Sequence, residues 1–127
     1  MLDKTIVNTL DAPSPIGPYA QAVKTGNLLF ISGQIAIDPH SGNIVATNAE
    51  EEAHQVMKNL AAILLEAGQD FSSVVKTTIF LSDMSLFGVV NEVYAQYITV
   101  NHPARETDAV SGLPKGVNVE ISMIALG

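Results

Sequence analysis

The chain carries a single arginine, Arg105, and a carboxylate, Glu120, fifteen positions after it. The other five cations are lysines: Lys4, Lys24, Lys58, Lys76 and Lys115. A guanidinium differs from an ammonium in kind, because its planar fork of fixed donors grips a carboxylate or phosphate at two points. Two readings of Arg105 follow: an anchor for an anionic ligand, or half of a structural ion pair with Glu106 or Asp108, the nearest acids. Glu120 reads as a general acid or base if a cleft or interface buries it and shifts its pKa, and otherwise as a solvated surface carboxylate. Tyr19, directly after Pro18, either offers its hydroxyl to a ligand or lays its ring on the core.

These residues need elements to position them. The segment from Pro103 to Ile121 and beyond reads as a hairpin: an extended run from Ala104 to Val110, a turn over Gly112 to Gly116, and a second strand from Val117 to Ala125. Period two puts Val117, Val119, Ile121 and Met123 on one face, and Asn118, Glu120 and Ser122 on the other. The same period turns Glu106 and Asp108 away from Arg105.

Upstream, Lys4 to Val7 is a short extended start. Asp11 to Pro18 packs three prolines and a glycine into eight residues, a rigid loop that can hold Tyr19 in place at low entropic cost. Tyr19 to Val23 and Leu28 to Ile37 read as strands joined through Thr25-Gly26-Asn27, whose residues tolerate positive φ. Gly33 interrupts the second strand and signals a bulge or a close approach of backbone to another group. Asp38 to Gly42 is a tight turn. Thr47 or Asn48 caps a helix of about 20 residues, with Glu50 and Glu51 in its first turn. Its apolar stripe is Ala53, Val56, Met57, Leu60, Leu64 and Ala67, and Gly68 stops it. Val74 to Leu81 is a β-branched strand. Ser82-Asp83 or Ser85 caps a second helix with Leu86, Val90, Val93, Tyr94 and Tyr97 inward.

The order βββ-α-β-α-ββ gives an α/β fold: a mixed sheet of six strands with both helices on one face. The other face is left uncovered, and a second subunit is the cheapest layer to cover it.

Composition narrows the function. With thirteen acids, six bases and a formal charge of -7, the chain repels nucleic-acid backbones and anionic membrane surfaces. It has no cysteine, hence neither disulfides nor thiolate nucleophiles. His40, His54 and His102 lack metal-ligand spacing, so no metal is expected. No nucleophile elbow or phosphate-cradling glycine loop occurs. MLDKTIVNTL has no apolar run suited to a signal peptide, so a soluble, cytoplasmic protein is expected.

Three motifs, IGPYAQAV (Ile16 to Val23), LLFISGQIAIDPHSGNI (Leu28 to Ile44) and PAR…LPKGVNVEI (Pro103 to Ile121), resemble in order and spacing the RidA or YjgF-like group of reactive intermediate (enamine/imine) deaminases. The resemblance implies one RidA-like domain over 1–127, a chorismate-mutase-like fold, and a homotrimer with clefts between subunits. It implies hydrolysis of 2-aminoacrylate and 2-iminobutyrate, products of pyridoxal-phosphate-dependent dehydratases, to 2-keto acids and ammonia without a cofactor. Carried over by position, Arg105 would clamp the substrate carboxylate and Glu120 would activate water. Tyr19, Ser32, Asn91 and Thr107 would contact the substrate. Three positions depart from the family pattern: Thr107 stands where many members have cysteine, Asp108 where an apolar residue is usual, and Glu106 where a small one is. The added acids should weaken the pull of Arg105 on an anion. Two alternatives from other classes are a non-catalytic module binding small carboxylates such as 2-keto acids, and a ribonuclease or translation inhibitor, which the charge disfavours.

Overall fold

The computed structural model describes residues 3–45 and 47–127, so the first two residues of the N-terminal stretch lie outside the described residues. Six strands form one mixed sheet: β1 (Thr5–Val7), β2 (Ala22–Thr25), β3 (Leu28–Gln34), β4 (Val74–Leu81), β5 (Ala104–Ala109) and β6 (Val119–Leu126). Helix α1 (Ala49–Glu66) joins β3 to β4, and α2 (Phe87–Tyr97) joins β4 to β5. The spatial order is β1-β2-β3-β6-β4-β5, antiparallel throughout except for the β4–β5 pair.

The helices form where the sequence signals them. Asn48 accepts a hydrogen bond from the Glu51 N–H at 2.8 Å, satisfying a donor that the first turn of α1 leaves orphaned. Gly68, at φ 75°, takes the left-handed conformation that ends the helix. Asp83 caps a 3-10 turn, Met84–Leu86, that leads into α2. The stripe of α1 packs with Val90 and Val93 of α2 onto Leu29, Ile31, Ile79, Leu81, Ile121 and Met123, all buried. Full burial of one such leucine or isoleucine contributes roughly 1.5–3 kcal/mol. The opposite face of the sheet has no covering layer: Leu28, Phe30, Val75 and Leu126 are exposed there.

The expected hairpin between residues 104–110 and 117–125 does not form. β4 lies between its two arms, parallel to β5 and antiparallel to β6. The connection over 110–118 exceeds the two to five residues typical of hairpin loops and is long enough to straddle a strand. Its two ends are tied to β4 instead, with Val110 N–H donating to Leu81 O and Ser82 N–H to Asn118 O, each at 2.9 Å. The strand expected from Tyr19 begins only at Ala22, because Tyr19 N–H turns back to Gly17 O at 2.8 Å. The strand expected to reach Ile37 stops at Gln34, after a register shift between Ile31 and Gln34.

Candidate active site

That register shift shapes the first group of site residues. From Ile31 to Gln34, β3 advances three positions while β6 advances two, from Met123 to Ile121, so one extra residue bulges out around Ser32-Gly33. Glu120 lies against the bulge. A Cβ built on Gly33 would come within 2.9 Å of Glu120 Cδ and 3.0 Å of Oε2, so the carboxyl group occupies the space a side chain would take. Alternation along β6 points Glu120 to the uncovered face, while Val119 and Ile121 are buried beneath the helices. Partial burial pushes the Glu120 pKa above the ordinary glutamate value, since desolvation disfavours the anion.

Two hydroxyls border the same space. Ser32 Oγ donates to Ala20 O at 2.6 Å, which leaves its lone pairs to accept from a ligand. The Tyr19 hydroxyl accepts from Ile16 N–H at 3.3 Å, which leaves its proton to donate. Tyr19, Ser32, Gly33 and Glu120 line one cavity of about 360 Å³, with Ile16 and Ile35 as apolar wall.

Arg105 belongs to a second group, on the helix side of edge strand β5. Its guanidinium lies over the rings of Tyr94, 5.0 Å from the centroid, and Phe87, at 5.7 Å. Its Nη1 donates to Asn91 Oδ1 at 2.8 Å. This is a cation–π seat with one orienting hydrogen bond, and the remaining N–H donors of the fork stay available. Tyr94 is fixed in turn by donating to Thr77 Oγ1 at 2.9 Å. Two residues along β5, the Thr107 hydroxyl is buried with no hydrogen-bond partner among the described residues. Such a group is costly to leave unpaired.

The ion-pair reading of Arg105 fails on this geometry. The one salt bridge among the described residues joins Lys76 to Glu106 at 3.1 Å, on the uncovered face. Glu106 also accepts from Thr78 Oγ1 at 2.8 Å, and that bond, followed by the Lys76 contacts, lowers its pKa. Glu106 is thus occupied locally rather than competing for Arg105.

Arg105, Asn91 and Thr107 come together, as do Glu120, Ser32 and Tyr19, but within one chain the two groups do not meet. Arg105 is paired in register with Thr77 and Glu120 with Phe80, on opposite sides of β4, and their side chains leave opposite faces of the sheet. Sequence reasoning missed the aromatic seat of Phe87 and Tyr94, having assigned Tyr94 to the core alone. It also passed over Glu52 and Asn59, both fully buried on α1. Their signal was present: with Val56, Leu60 and Ile63 they fall at i, i+4, i+7, i+8 and i+11, two polar residues on an apolar stripe. Among the described residues no group of His, Cys, Asp and Glu side chains could hold a metal ion, and no helix is long and apolar enough to cross a membrane.

Known proteins match this chain over nearly its whole length. The family model described as endoribonuclease L-PSP matches residues 9–127. A human protein named 2-iminobutanoate/2-iminopropanoate deaminase is 47% identical over 98% of this chain and 91% of its own length. The structure titled a putative endoribonuclease from Thermotoga maritima superposes with a TM-score of 0.95 at 46% identity, covering 97% of both chains. That of E. coli TdcF with bound serine does so with a TM-score of 0.92 at 36% identity, covering 97% of this chain and 98% of that one. With this extent of matching sequence and the same sheet and helices, the chain belongs to the RidA/YjgF family.

Proposed function

We propose that the protein is a hydrolytic deaminase of short 2-imino and enamine acids, converting substrates such as 2-iminobutyrate and 2-aminoacrylate to 2-keto acids and ammonia. The observation that carries this reading is a partly buried carboxylate seated on a bare glycine, in a chain 47% identical to a deaminase of 2-imino acids. Imines hydrolyse unaided, so an enzyme has to orient the imine and a water and to move protons. Arg105, oriented by Asn91, clamps the substrate carboxylate, and Thr107 supplies a further hydrogen bond. Glu120 takes a proton from the water as its oxygen bonds to the imine carbon. It passes that proton to the imine nitrogen, giving a carbinolamine, and then relays the remaining hydroxyl proton to the same nitrogen as the C–N bond breaks, releasing ammonia and leaving the keto oxygen. Tyr19 and Ser32 hold the substrate over the Gly33 bulge.

The two groups meet between subunits: edge strand β5 of one chain reaches the uncovered face of its neighbour, in a homotrimer with three such clefts. The exposed apolar side chains of that face support this arrangement. The test generates 2-iminobutyrate in situ, traps it with semicarbazide, and asks whether the protein diverts it to 2-ketobutyrate, with Arg105→Ala alongside. Diversion by the wild type alone is expected. If wild type, mutant and buffer give equal semicarbazone, and 2-iminopropionate behaves the same way, deamination is refuted. Retention of 2-keto acids would then mark a carboxylate-binding module, and a complex with RNA at low salt would favour the nucleic-acid reading despite the charge of -7.

A further inference from the structure

We infer that Glu52 is a positioning residue for the reaction: from helix α1, through the backbone at the start of β6, it holds Glu120 over the Gly33 bulge. Glu52 is 2% exposed. Its Oε2 accepts from the backbone N–H groups of Asn118, at 2.7 Å, and Val119, at 3.0 Å, while Oε1 accepts from Asn118 Nδ2 at 3.1 Å. These are consecutive peptide groups immediately before Glu120. On the other side Asn118 O accepts from Ser82 N–H at 2.9 Å, and Asn118 Oδ1 from Ser82 Oγ at 2.9 Å. The entry to β6 is thereby gripped from helix and sheet together.

Placement in a strand is all or none with respect to face. A slip of one residue would carry Glu120 from the uncovered face to the helix side, and a smaller drift would lift its carboxyl group from Gly33. Hydrogen bonds from peptide groups to an anionic oxygen are stronger than neutral ones, and a carboxylate can take two donors on one oxygen. Asn118 and Val119 lie where β6 leaves the irregular 110–118 connection, so the strand ladder alone holds them less well than the middle of the sheet. Nothing in the Arg105 group depends on this contact, which separates its effect on turnover from its effect on substrate capture.

The inference rests on Glu120 acting as the proton carrier, so Glu120→Gln is measured first; turnover retained in that variant overturns both assignments. With Glu120→Gln inactive, Glu52→Ala should lower kcat about 10- to 100-fold and leave KM within about twofold, as expected when a reacting group is displaced by a fraction of its reach. Glu52→Gln, which keeps an oxygen for the two peptide donors and loses only the bond from Asn118 Nδ2, should stay within about threefold of wild type, and Glu52→Asp, which keeps the charge but shortens the reach, should fall with Ala. Ile63→Ala on the same helix, assayed below its melting temperature, should lose stability without losing kcat. Should Glu52→Ala not fold, the order of Gln above Asp decides. Wild-type kcat in Ala and Asp, a loss in Gln as deep as in Asp, or an equal kcat loss in Ile63→Ala would overturn the proposal.

Discussion

The surroundings of Glu120 and those of Arg105 are held in different ways. Two walls of the Glu120 cavity are tied by buried polar side chains. Gln21 accepts from Thr9 N–H at 2.7 Å and donates to Thr9 O and Pro13 O at 3.0 and 2.9 Å, fixing the proline-rich loop. Asn59 donates to Ile35 O and Ile37 O at 3.2 and 3.0 Å, fixing the apolar side. Arg105, by contrast, sits exposed on an edge strand, on two rings and one hydrogen bond. A proton-transfer group must be placed within a fraction of an ångström, so its pocket is formed within one chain. A charge that captures an anion acts over a longer range and tolerates a looser mount, which suits the intersubunit position proposed for Arg105.

Substitutions can break this contrast. The largest effect is expected from Glu120→Gln: kcat should fall by about 10²- to 10⁴-fold, the usual contribution of general acid–base catalysis, with KM little changed. Arg105→Ala should lower kcat/KM by about 10²- to 10³-fold, mostly through KM, with Arg105→Lys recovering only part because an ammonium lacks the fork. Initial-rate kinetics with 2-iminobutyrate check both, and a kcat effect confined to Arg105 would reverse the roles. Coexpressing the two dead variants sharpens the comparison further. If each site takes Arg105 from one chain and Glu120 from the next, random mixing makes about a quarter of the sites intact, and that activity should return. A site within one chain would give none.

Smaller effects probe the glycine and the pKa. Gly33→Ala should lower kcat roughly tenfold yet scarcely move the melting temperature, because the group it displaces is the end of a flexible side chain. An equal loss of stability and activity would deny the seat its role. The acid limb of kcat/KM should lie above the ordinary glutamate range, as the raised pKa of Glu120 requires. The stability sign follows: a carboxyl more easily protonated when folded costs stability once pH rises through its unfolded pKa and then its folded pKa. Glu120→Gln should therefore melt slightly higher than wild type at pH 7, with the gain gone in acid below both values. Thermal melts at the two pH values test this.

Local signals foretold local structure. The Asn48 cap, the Gly68 stop and the alternation of β6 each depend on neighbours within a few residues, and each stands where the sequence puts it. Gly33 was legible too, as a bulge and a close approach, though the sequence could not say that Glu120 was the approaching group. Strand order was not legible. Nothing between residues 104 and 125 reveals that a strand ending at residue 81 will enter between the two arms, because pairing across the sheet is decided by tertiary packing. Glu52 was hidden for another reason: following Glu50 and Glu51, it reads as one more acid favouring the helix N-terminus, and only the turn of the helix separates it from them.

The position of β6 constrains how the chain assembles. It follows every other strand in sequence, yet occupies the middle of the sheet, between β3 and β4. Before it inserts, the meander of β1, β2 and β3 and the parallel pair β4–β5 are separate pieces, each with an open hydrogen-bonding edge facing the gap. Folding must wait for a distant segment to close that gap, which raises the entropic barrier and prolongs the exposure of edges that attract other chains. The strand that bears Glu120 is thus also the one whose arrival ends the interval most vulnerable to aggregation.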